Sequence, residues 1–131
     1  MHATPSEPVR NLVTRPPVLV RGDDPIRRVA RLFVEESFGA AVVRGLGRPA
    51  IVSERDIVRA VADGLDLDTT CVEEIMTDDL AVAGPQDRVA DVARTMLDDE
   101  IRPVPVVADD GIVGLVSGRD CLRAYVDATP G

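Results

Sequence analysis

An internal repeat constrains the fold of this chain more than any other feature. The second half repeats Val9-Arg10-Asn11-Leu12-Val13-Thr14 as Val72-Glu73-Glu74-Ile75-Met76-Thr77. It also repeats Ser53-Glu54-Arg55-Asp56 as Ser117-Gly118-Arg119-Asp120. The offset is 63 residues for the first pair of segments and 64 for the second, so a single insertion separates them. Two copies are too few for a solenoid, and we expect a closed pseudo-symmetric pair with a cleft between the copies.

Composition and charge exclude some classes of partner. A chain of 131 residues with 45% hydrophobic residues is expected to bury one core and to form a single compact domain. The formal net charge of −8 repels nucleic acid and anionic lipid surfaces. The chain has no tryptophan and one tyrosine, so it has almost no aromatic platform for stacking bases. We therefore expect no nucleic-acid partner.

The sequence also predicts a cytoplasmic protein with no membrane partner. No apolar run approaches the ~20 residues that a membrane helix requires. Residues 1–8 lack the basic and apolar regions of a signal peptide. Cys71 and Cys121 have no CxxC spacing, and we expect them to be buried or half-buried free thiols.

Nothing in the sequence indicates catalysis, a metal site or a cofactor. The single histidine is His2, which argues against a His-activated nucleophile and against a His-containing metal site. Paired aspartates lie at predicted turns and helix ends, where such residues cap the backbone, and they lack the spacing of a calcium loop. We therefore expect a protein that is not an enzyme.

Hydrophobic periodicity predicts the element order β-α-β-β-α in each copy. Copy one has an extended segment at Val18-Leu19-Val20, strands at 40–43 and 50–52, one helix with Pro25 at its first position, and a second helix that begins at about Glu54. We expect two inward faces on these helices: Ile26, Val29, Ala30, Phe33 and Val34 on the first, and Ile57, Val58 and Val61 on the second.

Copy two has the same predicted elements. They are an extended segment at Leu80-Ala81-Val82, a helix with Val89, Val92, Ala93 and Met96 inward, strands at 104–107 and 112–116, and a helix at 119–126. We expect a flexible tail at 1–8, repeat one at 9–63, a linker at 64–71, repeat two at 72–126, and a C-terminal tail at 127–131.

Two Ser-x-x-Asp segments are the strongest candidates for function, because each lies where a strand ends and a helix begins. Ser53 and Asp56 form the first, and Ser117 and Asp120 form the second. Such a serine can be an N-cap and such an aspartate a favourable first-turn acid. The same position offers free backbone N–H groups and a carboxylate that can accept two hydroxyls, as a ribose requires. Capping and ligand binding are compatible.

These segments carry a resemblance to a known family. Copy two contains Ile101-Arg102-Pro103-Val104-Pro105-Val106-Val107 and then Gly111-Ile112-Val113-Gly114-Leu115-Val116-Ser117-Gly118-Arg119-Asp120, which resembles the second half of a cystathionine β-synthase (CBS) domain. Copy one ends similarly in Ile51-Val52-Ser53-Glu54-Arg55-Asp56-Ile57-Val58-Arg59-Ala60. Over roughly residues 9–126 the chain resembles a stand-alone CBS pair, or Bateman module. The resemblance implies an α+β (α/β) fold of two β-α-β-β-α repeats related by a pseudo-two-fold axis.

The resemblance also implies a ligand and its contacts. The cleft of such a pair would hold up to two adenosine-containing ligands: AMP, ADP, ATP or S-adenosylmethionine. Asp56 and Asp120 would hold ribose hydroxyls beside Ser53 and Ser117. The phosphate would be reached by Arg102, just before the Val-Pro-Val strand, and by Arg55 and Arg119.

The two sites are predicted to be unequal. Copy one has Gly39 in the place of Arg102, no proline in the following strand, and Ala50 in the place of Gly114. We therefore expect the Asp120 site to bind phosphorylated nucleotides. The Asp56 site should bind weakly, or bind only the nucleoside part.

The resulting interpretation is a non-enzymatic regulatory or sensor module that binds an adenosine-containing small molecule, forms a homodimer and acts on an unknown downstream protein target. The alternative is a structural dimerisation or interaction module with no physiological nucleotide ligand, in which Ser-x-x-Asp acts only as a cap. A small hydrolase built on paired carboxylates is the least supported alternative.

Overall fold

The computed structural model describes residues 5–99, 103–109 and 111–128, and these form an α+β fold. The chain divides into two compact units. The first unit is Val18–Leu80, and the second joins the described residues before Val18 to those after Leu80. Each unit has its own buried hydrophobic cluster, so the expectation of one core in a single compact domain is wrong. Each copy's helices cover that copy's own small sheet.

The first unit confirms the predicted order of elements. It contains strands β1 (Leu19–Arg21), β2 (Ala40–Arg44) and β3 (Ile51–Ser53), helices α1 (Ile26–Glu36) and α2 (Glu54–Ala62), and a 3-10 turn at Val72–Glu74. β1 pairs in parallel with β2, and β2 pairs in antiparallel with β3. The parallel connection from β1 to β2 runs through α1, as such crossovers generally require.

The second unit repeats this order with a reduced first strand. It contains a 3-10 turn at Val9–Leu12, helices α3 (Val89–Asp99) and α4 (Gly118–Ala128), and the antiparallel strands β4 (Val104–Ala108) and β5 (Gly111–Val116). The extended segment predicted at Leu80–Val82 forms no strand, and the pairing expected there is reduced to the next residue, Ala83, which bridges Val106 in parallel. A turn closed by the Asp87 N–H and the Gly84 carbonyl at 3.1 Å follows Ala83 immediately and ends the pairing.

The compact units differ from the sequence repeats because each takes its leading segment from the other copy. Val9 and Val72 are both 0% exposed; Val9 lies in the core of the second unit and Val72 in the core of the first. The Val9 N–H donates to the Asp87 carbonyl at 2.6 Å, and the Val72 N–H donates to the Asp24 carbonyl at 2.9 Å. The repeat was visible in the sequence, but this exchange of segments was not.

The expected flexible tail at 1–8 is hydrogen-bonded over its described part. The Pro5 carbonyl accepts from the Ala90 N–H at 2.9 Å, and the Glu7 carbonyl accepts from the Val89 N–H at 3.0 Å. The tail therefore supplies acceptors to the first turn of α3, where backbone N–H groups have no partner within the helix. At the other end, α4 continues to Ala128, inside the expected C-terminal tail.

The prediction that Val34, Val58 and Val61 face inward is wrong. Val34 is 82% exposed, Val58 66% and Val61 56%. Periodicity identified amphipathic helices, yet an apolar residue beside the buried face points outward when neither sheet nor partner helix covers it. On α2 Asp56 and Ala60 are buried, and Ile57, which was also predicted to face inward, is partly buried against the core of this unit.

Two other features bear on the predicted properties. Cys71 is half-buried and Cys121 is buried, and both are free thiols, which confirms that prediction. No helix in the described ranges combines the length and the apolar character needed to cross a bilayer.

Candidate functional site

The first Ser-x-x-Asp segment forms a reciprocal cap at the start of α2. The Ser53 hydroxyl accepts a hydrogen bond from the Asp56 N–H at 3.3 Å, and Asp56 Oδ2 accepts from the Ser53 N–H at 2.9 Å. The Ser53 hydroxyl also donates to Asp56 Oδ2 at 3.1 Å. This capping box satisfies backbone donors that the first turn leaves without partners.

The second segment forms the same arrangement at the start of α4. The Ser117 hydroxyl accepts from the Asp120 N–H at 3.1 Å, and Asp120 Oδ2 accepts from the Ser117 N–H at 2.9 Å. Each predicted serine therefore meets its aspartate within one unit. In both copies the expected capping role is present, and it leaves one carboxylate oxygen outside the box.

The two outer carboxylate oxygens differ in their partners. Asp56 Oδ1 accepts a hydrogen bond from the Thr77 hydroxyl at 3.3 Å. Thr14 is the counterpart of Thr77 in the other copy, but among the described residues no threonine donates to Asp120. Asp120 thus keeps an acceptor oxygen that the described residues do not use.

The two carboxylates also differ in burial. Asp56 is 7% exposed and is the only charged residue that is buried within the described ranges, whereas Asp120 is half-buried. A buried carboxylate must be paired or hydrogen-bonded, and Ser53 and Thr77 meet that requirement for Asp56. The charge of Asp120 raises the pKa of the adjacent Cys121 thiol, although burial of the thiol is the larger cause.

The predicted phosphate ligands are only partly described. Arg55 and Arg119 are both exposed, and no ion pair joins either of them to a carboxylate in the described part of the chain. Arg102 lies outside the described residues. The two described guanidinium groups are therefore accessible to an anion, as the prediction requires.

The glycine differences between the copies have physical explanations. A Cβ at Gly39 would lie 3.4 Å from Glu54 Oε1, so the Glu54 carboxylate lies beside Gly39, the counterpart of Arg102. A Cβ at Gly114 would overlap Val13 Cγ1. Gly114 therefore accommodates a valine of its own unit, and this packing accounts for the glycine without a ligand.

Thr77, Glu54 and Val13 were absent from the sequence-predicted site. A signal existed for Thr77, because Thr14 and Thr77 end the repeated segments that first revealed the duplication. Glu54 also occupies a repeated position, where the other copy has Gly118. Contacts between distant parts of the chain decide the roles of these residues. In the described ranges, no group of three or more His, Cys, Asp or Glu side chains could hold a metal ion.

Comparisons with known proteins identify related chains. The protein MJ1225 of Methanocaldococcus jannaschii is 29% identical over 90% of this chain, which spans 42% of that relative's length. The CBS domain protein PAE2072 from Pyrobaculum aerophilum, solved in complex with AMP, is 37% identical with a TM-score of 0.77. That match covers 86% of this chain and 88% of PAE2072.

A second solved structure and a family model agree with these matches. The CBS domain pair of protein MJ0100, solved with 5-methylthioadenosine and S-adenosyl-L-methionine, is 26% identical with a TM-score of 0.84. It aligns with 95% of this chain over its full length. The CBS domain model matches twice, at residues 9–63 and 72–127. The chain belongs to the CBS domain family.

Proposed function

We propose that this chain is a regulatory or sensor module that binds an adenosine-containing ligand of the AMP, ADP, ATP or S-adenosylmethionine type. The observation that carries the proposal is Asp120, a half-buried carboxylate whose second oxygen has no described protein donor. It lies in the first turn of α4, where backbone N–H groups and the helix dipole favour anions. A ribose offers the neighbouring hydroxyls that such a carboxylate accepts.

The solved relatives support this ligand class. PAE2072 was solved with AMP, and the MJ0100 domain pair with 5-methylthioadenosine and S-adenosyl-L-methionine. These ligands share adenosine and differ in the group on its 5′ carbon. We therefore assign the shared part to the Ser117 and Asp120 segment, with Ser53 and Asp56 as the second candidate.

We assign binding of the group at the 5′ position to arginine side chains. Arg119 adjoins Asp120 and is exposed, so its planar guanidinium can reach a phosphate carried by a ribose at Asp120. Arg102 is proposed as the second phosphate contact, from its place before the Val-Pro-Val strand. Arg55 is the equivalent of Arg119 beside Asp56.

We propose a binding role without catalysis, with a protein target downstream and with cytoplasmic location. Each Ser-x-x-Asp serine hydroxyl accepts from a backbone N–H, and no histidine lies beside either serine within the described ranges, because the single histidine, His2, falls outside them. A serine nucleophile would require a neighbouring general base. Binding alone also agrees with carboxylates that already cap helices.

We propose a homodimer because several large apolar side chains are exposed to solvent. In the second unit, Leu97 is 80% exposed, and Leu122 and Val126 are each 63% exposed. Leu122 and Val126 are four residues apart on α4 and so share a face. An equivalent chain related by a two-fold axis would bury this surface against itself.

A structural dimerisation module without a nucleotide ligand is the second candidate. Both Ser-x-x-Asp segments are complete capping boxes, so helix stability alone accounts for their presence. A thermal-shift screen separates the two candidates. A ligand at about 100 times its dissociation constant adds about 2.7 kcal/mol to the free energy of unfolding. The sensor proposal expects AMP, ATP or S-adenosylmethionine to raise the melting temperature, whereas no shift with any of them favours the structural module.

A further inference from the structure

We infer that Thr77 and Glu54 close the copy-one site, so that each chain binds one adenosine phosphate, through Asp120. The inference rests on the proposed function and identifies the residues that set its stoichiometry. Thr77 acts as a positioning residue, since it acts on the ligand site through Asp56. Glu54 acts through the charge that it places beside Gly39.

The first step concerns the acceptor capacity of Asp56. Its Oδ2 accepts from both the N–H and the hydroxyl of Ser53, and its Oδ1 accepts from the Thr77 hydroxyl. Only 7% of the residue is exposed. A ribose that needs two acceptor positions must therefore displace Thr77, whereas at Asp120 no described hydroxyl has to leave.

The second step concerns the mobility of Thr77. Its N–H donates to the Ile51 carbonyl at 2.8 Å, and its carbonyl accepts from the Ile51 N–H at 2.9 Å. These bonds add Thr77 as an antiparallel partner on the free edge of β3. The 3.3 Å hydroxyl bond to Asp56 is long for an O–H donor, but the backbone pairing holds the hydroxyl at this place.

The third step concerns charge at the phosphate position. The Glu54 carboxylate lies beside Gly39, and the backbone N–H of Glu54 donates to the Gly39 carbonyl at 2.9 Å. Copy two has Arg102 and Gly118 at the two corresponding positions. Copy one thus has a carboxylate beside Gly39, at the position where the sequence of copy two has an arginine, and a carboxylate repels phosphate. The two copies differ in both halves of the nucleotide site.

The test is a calorimetric titration with AMP that reads the number of ligands bound per chain. We expect one for the parent chain and a second, weaker one for the double variant Thr77→Val/Glu54→Ala. Freeing a bond to a charged group should strengthen the copy-one site by about tenfold or more. Thr14→Val is the matched control, because Thr14 occupies the same repeat position, and it should not raise the stoichiometry. A gain of binding cannot arise from misfolding.

Asp120→Asn separates failure of this inference from failure of the proposed function. In the double-variant background it should leave only the newly opened site, and Asp56→Asn should then remove that site. Two ligands per parent chain, or no gain in the double variant, would overturn closure by Thr77 and Glu54. If the parent chain binds no adenosine compound, the proposed function is overturned. In that case the inference that Thr77 and Glu54 close the copy-one site stands only if the double variant gains a site. If the double variant also binds nothing, that inference is overturned as well.

Discussion

Val13 packs directly on the backbone of Gly114, so a methyl group at Gly114 would overlap Val13 Cγ1. The contact lies within the second unit, although Val13 belongs to the first sequence copy. It is one consequence of the exchange of leading segments, by which Val9 also enters that unit's core.

The first prediction follows from this contact. Gly114→Ala should lower the free energy of unfolding by about 1–3 kcal/mol, the usual cost of overpacking. Val13→Ala in the same chain should recover part of the loss, because it removes the overlapping methyl groups. Chemical denaturation of the two single variants and the double variant measures the coupling. Strictly additive effects would mean that Val13 and Gly114 are not in contact.

The second prediction concerns the thiols. Burial raises the pKa of both, with Asp120 contributing for Cys121 and Glu74 contributing for Cys71. Since the thiolate is the reactive form, alkylation of the folded protein should be slow at neutral pH and should accelerate as pH rises. Cys121, 4% exposed, should react only after unfolding, and half-buried Cys71 should react first. Mass spectrometry of timed samples, with Cys71→Ser as the control, measures the order of alkylation. Alkylation of Cys121 before Cys71 would contradict the prediction.

The sequence predicted the order of elements and the Ser-x-x-Asp caps because both depend on neighbours a few residues apart. Hydrophobic periodicity located α1 and α2, but it could not tell that Val34 and Val58 lie outside the packed faces. That distinction depends on which other elements cover each helix.

The remaining features depend on contacts between distant segments. The Thr77 hydroxyl reaches Asp56 across 21 residues of chain, and Val9 is buried against elements that follow Leu80. Local patterns contain no information on such pairings. The repeated threonines marked the position, but only the structure shows that Thr77 contacts the carboxylate and that Thr14 has no equivalent contact.

The third prediction tests the homodimer. Leu122→Gln places a polar group on the exposed apolar face of α4 and should weaken self-association, since less apolar surface is then buried between chains. Arg123→Gln, at an exposed position on the same helix, should have little effect. Sedimentation at tens of micromolar reads the mass directly. A parent chain that sediments as a 14.0 kDa monomer would contradict the dimer.

The fourth prediction concerns phosphate recognition. Arg102→Ala should reduce affinity for AMP by roughly 10- to 150-fold and leave affinity for adenosine nearly unchanged, because a guanidinium–phosphate contact is worth about 1.5–3 kcal/mol. Arg94→Ala removes an equal charge from an exposed position of α3 and serves as the control. Parallel titrations with AMP and with adenosine measure the preference of each variant for AMP over adenosine. An Arg102→Ala variant that keeps the parent's preference for AMP would show that Arg102 is not a phosphate ligand.

The most direct test of the central claim is calorimetric titration of AMP into the parent chain and into Asp120→Asn, with thermal unfolding of the same samples. The substitution should reduce affinity by tenfold or more, because the ribose loses charge-assisted bonds of about 1.5–3 kcal/mol each. The loss of the first-turn negative charge should cost only about 0.3–1 kcal/mol of stability, since asparagine Oδ1 can still accept from the Ser117 N–H. Asp56→Asn is the matched control and should leave AMP affinity unchanged. Equal AMP affinity in Asp120→Asn and the parent chain would contradict the claim that Asp120 holds the ligand.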